Sequence, residues 1–222
     1  MARMRRARSD EDKIKRKKAI LKTAWQLYEK SGGQLPTVSN IAQKAKLSKG
    51  AIYLYFRAKE EIYLQLFMDQ LRAWVDSCNS IRDLTPGSMS EQESVSILTR
   101  YIRENPLVVK LGTLVQGVFE NNPNADIIIE NKSQLSDILS DGGENLSYLF
   151  PQIPKSNAIQ LMLQIYSVIC GLWQVASVPD QARRVLVERG VRAFDSNFSD
   201  IVLETVHALI KGTIILNSYV KV

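Results

Sequence analysis

The sequence predicts an all-α chain in two parts, a small three-helix domain at the N-terminus followed by a larger helical domain. Three observations carry this. Apolar residues recur at spacings of three and four in nearly every segment, Gly and Pro fall between those segments, and alternating strand-like runs are almost absent. The best local strand is "DIIIE" at 126–130, and one isolated strand has no sheet to join.

Taken in order, the first helix is expected from about Asp10 to Ser31. Ile14, Leu21, Trp25 and Tyr28 recur there at spacings of seven, four and three; Ile20, Ala24 and Leu27 widen the stripe, and Gly32-Gly33 ends it. Residues 1–13 precede this pattern and read as a basic arm with Arg3, Arg5, Arg6 and Arg8. Pro36 and Thr37 open a short helix to about Ala45, and a second short one follows from Lys49. A longer helix from about Ala58 to Ser80 carries Ile62, Leu66, Met68, Leu71, Trp74 and Val75. After the loop "LTPGSMS" at 84–90, Ser90-x-x-Glu93 has the form of a capping box. Further helices are expected at roughly 90–104, 106–121, 124–149, 156–178, 180–189 and 196–218. They are divided at Asn105-Pro106, Asn122-Pro123, Pro151/Pro154, Pro179 and Gly190. The domains are accordingly drawn at 14–74 and 75–222, with the arm at 1–13.

A chain of 222 residues suits one or two domains. Its first residues, "MARMRRARSDEDKIKRKK", lack the apolar core of a secretory signal, so the expected place is the cytoplasm. Cys78 and Cys170 have no CxxC spacing and a single His to join them in a metal site, which favours two reduced, packed thiols, with a structural disulfide as the alternative. No cofactor motif stands out. Charge divides unevenly: residues 1–59 hold 16 Lys/Arg against four acids, net +12, and residues 60–222 hold 13 against 19, net −6. Such a split is that of a polyanion-binding module joined to a body with a different task.

The basic quarter holds the informative motif. Residues 37–56 read as two short helices around a tight turn, with Thr37 and Ser48 as N-caps. Ile41, Leu47, Ile52 and Phe56 then point to a core, while Lys49 and Tyr53, four apart, share another face beside Gly50. A short, basic, aromatic face with little bulk at its start suits the DNA major groove: Gly50 and Ala51 permit close approach, and Lys49 can reach a base edge or a phosphate.

The run "IAQKAKLSKGAIYLYFRAKEEIYLQLF" closely resembles the TetR-type helix-turn-helix pattern IA-x-x-AGVS-x-G-x-LY-x-YF-x-x-K-E-x-L. "ILKTAWQLYEKSG" with "PTVSN" resembles the first helix and entry of that module, so the likeness spans about Ile14 to Trp74. The resemblance implies DNA contacts from Thr37 and Ser39, and from Ser48, Lys49, Gly50, Ala51, Tyr53, Leu54 and Tyr55. It implies a phosphate contact from Lys59, and the basic arm either reaches a groove or serves as a solubilising tail. Lys46 stands where the family usually has Gly in the turn, and Ala51 where some members carry a larger base-touching side chain.

The acidic body shows no catalytic constellation, and its single His207 reads as a packed or interface residue. Ser156 to Val178 contains no charge and is apolar on two rows, which predicts burial on both. Its length alone would also suit a membrane span; Gln160, Gln164 and Gln174 argue against that. One row is expected inside the subunit and the other, Leu161, Ile165, Val168 and Leu172, against a second copy, with Val206, Ala208, Ile210 and Gly212 of the last helix. TetR-like proteins dimerise through such a four-helix interface, and the resemblance further implies an effector pocket among residues 90–178. Candidate lining residues are Leu114, Phe119, Met162, Tyr166, Cys170 and Trp173. The expected function is a dimeric, non-enzymatic regulator, most simply a repressor that leaves a palindromic operator when a small, largely apolar molecule binds. The alternatives are a regulator of the same fold with no small-molecule effector and a helical enzyme or carrier.

Overall fold

A computed structural model describes residues 2–83, 85, 88–120, 125–192 and 197–219, the side chains of 2–10, 118–120 and 180 excepted. The helices are α1 (Ala2–Lys30), α2 (Val38–Ala45), α3 (Lys49–Tyr53), α4 (Lys59–Ser77), α5 (Glu91–Glu104), α6 (Pro106–Glu120), α7 (Ala125–Leu149), α8 (Lys155–Ala176), α9 (Asp180–Glu188) and α10 (Phe198–Tyr219), with a 3₁₀ turn at Asn79–Asp83. The described residues include no β-strand, and "DIIIE" lies within α7.

Two boundaries follow from local chemistry. Ser90 Oγ accepts from Glu93 N–H at 3.3 Å and Glu93 Oε2 accepts from Ser90 N–H at 2.9 Å, so the capping box starts α5 as expected. The arm differs from expectation. Its backbone continues α1 as helix from Ala2, because residues 2–13 hold neither Gly nor Pro and most of them, four Arg, two Ala, Met4, Glu11 and Lys13, are good helix formers.

Helix α4 is the centre of the molecule. Ile62, Leu66, Met68, Leu71 and Trp74 are each at most 2% exposed, between α1 on one side and α6 and α7 on the other. Trp74 Nε1–H donates to Leu98 O at 2.8 Å, tying α4 to α5. Helices α7 and α8 form an antiparallel hairpin that needs small residues at its crossing: a Cβ on Gly143 would lie 2.9 Å from the backbone N of Ile159. Helix α10 runs antiparallel to α8, with Asn157 Nδ2 donating to Asn217 Oδ1 at 2.8 Å near one end and the Trp173 and Phe198 rings in edge contact at 4.9 Å near the other.

Helix α8 corrects the sequence reading. Leu161, Ile165, Val206 and Ile210, expected to face a second copy, are at most 1% exposed and pack within the subunit. The reason is angular: successive residues turn by about 100°, so the rows beginning at 161 and 162 are adjacent rather than opposed. Together they form one wide stripe, which α6, α7 and α10 cover. What remains outside includes Gln160, Gln164, Ser167 and Gln174 together with the apolar Leu163 and Val175, the latter 71% exposed, with Val168 and Leu172 half-buried at the edge. On α10, Ala208 is exposed and Gly212 half-buried. Although α8 is long and apolar enough to span a membrane by composition, its apolar stripe packs within this chain.

Candidate nucleic-acid interface

The turn between α2 and α3 is built from caps. Asn40 N–H donates to Thr37 Oγ1 at 3.2 Å, and Thr37 N–H donates to Asn40 Oδ1 at 3.1 Å, a reciprocal cap that orders the start of α2. Sequence reasoning found Thr37 but missed Asn40, although Thr-x-x-Asn was legible as a cap pair. At the other end Lys46 takes φ 55°, ψ 43°, and its N–H meets Ala42 O and Gln43 O; Leu47 N–H also donates to Ala42 O, at 2.9 Å. The turn therefore closes without glycine, at a cost of roughly 1 kcal/mol.

Ser48 Oγ then accepts from Ala51 N–H at 3.1 Å and caps α3. This bond uses one of the amides that an incoming phosphate could have met, and leaves those of Lys49 and Gly50. Ile52 and Phe56 are buried at 0% and 1% exposure, and Lys17 of α1 sits over the Phe56 ring at 5.3 Å, a contact no sequence pattern announced. With its apolar side held in this way, α3 turns the opposite side outward. Ser48, Lys49, Gly50 and Tyr53 are exposed, Ala51 is half-buried, and Leu54, just past the helix, is 83% exposed. Thr37 and Ser39 are exposed at the start of α2. A Cβ on Gly50 would meet only Ser48 Oγ, at 3.9 Å, so the space in front of it is open. Tyr55 is half-buried against the core, which sets it apart from Tyr53. Lys59 lies exposed at the first turn of α4, 3.6 Å from Glu60.

Helix α4 also fixes the approach of α2. The Tyr63 hydroxyl donates to Pro36 O, and burial, with Glu60 second, pushes its phenol up to about 12, so it remains a donor through the neutral range. The end of α1 is bonded to α6: Tyr28 Oη donates to Leu107 O at 3.0 Å, and Lys110 Nζ to Gly32 O at 2.9 Å. Gly33, at φ +84°, lies against this junction, where a Cβ would come within 2.7 Å of Lys110 Cδ. The end of α1, against which α2 packs, is thus tied to α6 by two hydrogen bonds and a close packing contact.

The candidate effector residues divide. Met162, Tyr166 and Cys170 share the buried stripe of α8, and Gln116 Nε2 of α6 donates to Tyr166 Oη at 3.2 Å. Burial pushes the Cys170 thiol up to about 11 and raises the Tyr166 phenol as well, so both are neutral. Trp173 is half-buried against Phe198. Leu114, 41% exposed, lies on the opposite side of α6 from Gln116, and the side chain of Phe119 lies outside the described residues. His207 joins Glu91 at 3.6 Å between α10 and α5, and both cysteines are free and buried. Among the described residues no group of three His, Cys, Asp or Glu is placed to hold a metal ion.

Comparison with known proteins places this geometry. Residues 20–66 match the family described as bacterial regulatory proteins, tetR family, and residues 68–216 match the tetracyclin repressor-like C-terminal domain. An uncharacterized HTH-type transcriptional regulator of Bacillus subtilis (strain 168), YhgD, is 24% identical over 175 residues, 75% of this chain and 88% of the relative. The fold is similar to that of a possible TetR family transcriptional regulator from Streptomyces coelicolor A3(2), with TM-score 0.58, 18% identity, and coverage of 90% of this chain and 99% of the other. It is also similar to that of the transcriptional regulator FadR from Bacillus subtilis in complex with stearoyl-CoA, with TM-score 0.52, 16% identity, and coverage of 88% and 97%. The chain is a member of the TetR family of DNA-binding transcriptional regulators, and not an enzyme.

Proposed function

We propose that two copies of this chain bind a palindromic operator in the cytoplasm as a repressor and leave it when a small, largely apolar molecule enters the larger domain. The observation that carries this is the outward side of α3, where Lys49 and Tyr53 stand exposed next to an open Gly50. In a dimer the two α3 helices read successive major grooves only when they lie about 34 Å apart. Thr37, Ser39, Ser48 and Lys59 then position the module on phosphates, while Lys49, Tyr53 and the open approach at Gly50 and Ala51 face the bases.

Helix α6 supplies the coupling. One end holds α1 through Leu107 and Lys110, and a point about two turns along holds Tyr166 through Gln116. An effector that takes Gln116 or Tyr166 as its own partner shifts α6 relative to α8, and the junction carries that shift to the DNA-binding helices. Its effect on operator affinity equals its differential affinity for the two arrangements. The likeness in fold to a stearoyl-CoA complex supports an apolar effector of acyl-chain type.

The test is a fluorescence-anisotropy titration of the full-length protein on DNA flanking its own gene. One phosphate-binding cation per subunit, Lys59, predicts that log affinity falls against log salt with a slope of about −1.8 or steeper. A long-chain acyl-CoA should weaken the complex. No binding at low salt, or binding indifferent to salt, contradicts the reading.

A further inference from the structure

Between α1 and α4 lies an open groove of about 460 Å³, within the size range of small-molecule sites. Leu21 and Leu66, both buried, give it an apolar lining, and Trp25 stands half-buried beside them with the Tyr28 ring 5.5 Å away. A tryptophan left partly open at the edge of a packed seam is aromatic area that a ligand can cover. Lys18 and Lys22, four apart on α1, share the groove with it. Both are exposed, and neither has a carboxylate at ion-pair distance among the described residues. The other charges at the groove are engaged: Arg72 pairs with Asp141 of α7, and Asp69 Oδ1 accepts from Gln65 Nε2 at 3.1 Å. Gln70 is held as well, its Oε1 accepting from Tyr101 Oη at 2.8 Å, so what it offers a ligand is its N–H₂. The groove thus sets positive charge and hydrogen-bond donors around an aromatic, apolar surface.

We propose that this groove binds a small aromatic carboxylate, its ring against Trp25, Leu21 and Leu66 and its carboxylate on Lys18 and Lys22, with Gln70 as a neutral donor. Its lining lies in the middle of both helices, away from the free amides of a helix start that would cradle a phosphate, so a carboxylate suits it better. The site stands in the DNA-binding module itself, apart from the buried stripe of α8, and does not depend on whether that stripe takes an effector. Its consequence follows from charge. Residues 1–59 carry net +12, and an anion held on Lys18 and Lys22 lowers the positive potential that draws the module to DNA. Helix α1 also packs on α2 and holds Lys17 over Phe56, so a ligand lodged beside it acts on the two short helices directly. Ligand and operator therefore oppose each other, each weakening the other by the same factor.

Isothermal titration calorimetry of 2-naphthoate into the full-length protein, with no DNA present, tests the site. Wild type is expected to bind with a Kd below about 1 mM, and the neutral 2-naphthamide at least about ten-fold more weakly. Lys18→Gln/Lys22→Gln should weaken naphthoate at least about ten-fold, whereas Lys18→Arg/Lys22→Arg, which keeps both charges, should retain it. Both lysines are exposed, so the fold should persist, with far-UV circular dichroism to confirm it. Trp25→Leu is the companion variant and should lose affinity through the ring instead of the charge. Naphthoate should also lower the affinity of wild type for labelled DNA and leave that of Lys18→Gln/Lys22→Gln unchanged. No binding by wild type, or binding that the paired glutamines leave intact, overturns the proposal. Binding lost in Tyr166→Phe and kept in Lys18→Gln/Lys22→Gln places the ligand in the larger domain, which overturns this site while the effector reading stands. Naphthoate bound through the lysines without effect on DNA affinity overturns the opposition between ligand and operator.

Discussion

Helices α3 and α8 obey the same helical period and were read from sequence with opposite success. In α3 the apolar run from Ile52 to Phe56 splits cleanly, Ile52 and Phe56 into the core and Tyr53 outward beside Lys49. In α8 the two apolar rows were expected on opposite faces, yet Leu161 and Ile165 of one lie in the core beside Met162, Tyr166 and Cys170 of the other, and only Val168 and Leu172 sit at the edge. A short helix packed on one side leaves little choice of face. A helix with three neighbours buries a stripe wide enough to take parts of two rows, and its outward side then mixes uncharged polar residues with apolar ones such as Leu163 and Val175, so polarity alone does not mark it.

The sharpest way to break this contrast is to cut on both sides of α8. Ile165→Ala should cost about 2–5 kcal/mol in urea unfolding, because a fully buried side chain leaves a cavity. Gln164→Ala, one residue away and exposed, should change the unfolding of the single chain by no more than about 0.5 kcal/mol. Comparable losses at both would place the buried stripe elsewhere. A smaller effect probes the turn ahead of α3. Lys46 holds a left-handed backbone, so Lys46→Gly should stabilise the protein by about 0.5–1 kcal/mol while leaving the α3 face intact. A loss of stability there would mean that the lysine side chain contributes more than its backbone costs.

Much of the fold was legible because its marks are local. Thr37, Ser48 and Ser90 cap the helices they were expected to cap, Pro106 opens α6 and Pro179 precedes α9, while the break at Asn122-Pro123 lies outside the described residues. The candidate DNA face was legible for the same reason, since its residues lie within 23 positions of one another, from Thr37 to Lys59. What was not legible joins distant parts of the chain. Tyr28 reaches Leu107 across 79 positions and Lys110 reaches Gly32 across 78, and neither residue carries a mark of its partner. Leu161 and Ile165 were misplaced for a related reason: which row of a helix faces inward depends on how many helices surround it, a property of packing that the period of one segment does not hold.

The central claim is that the outward side of α3 is where this protein meets DNA. It is tested most directly by titrating wild type and Lys49→Ala/Tyr53→Ala against the same labelled DNA at one salt concentration, with sedimentation to follow assembly. Both substituted side chains are exposed, so fold and assembly should be retained while affinity falls at least about 100-fold, each lost contact being worth roughly 1–3 kcal/mol. A double variant that binds as tightly as wild type would contradict the account.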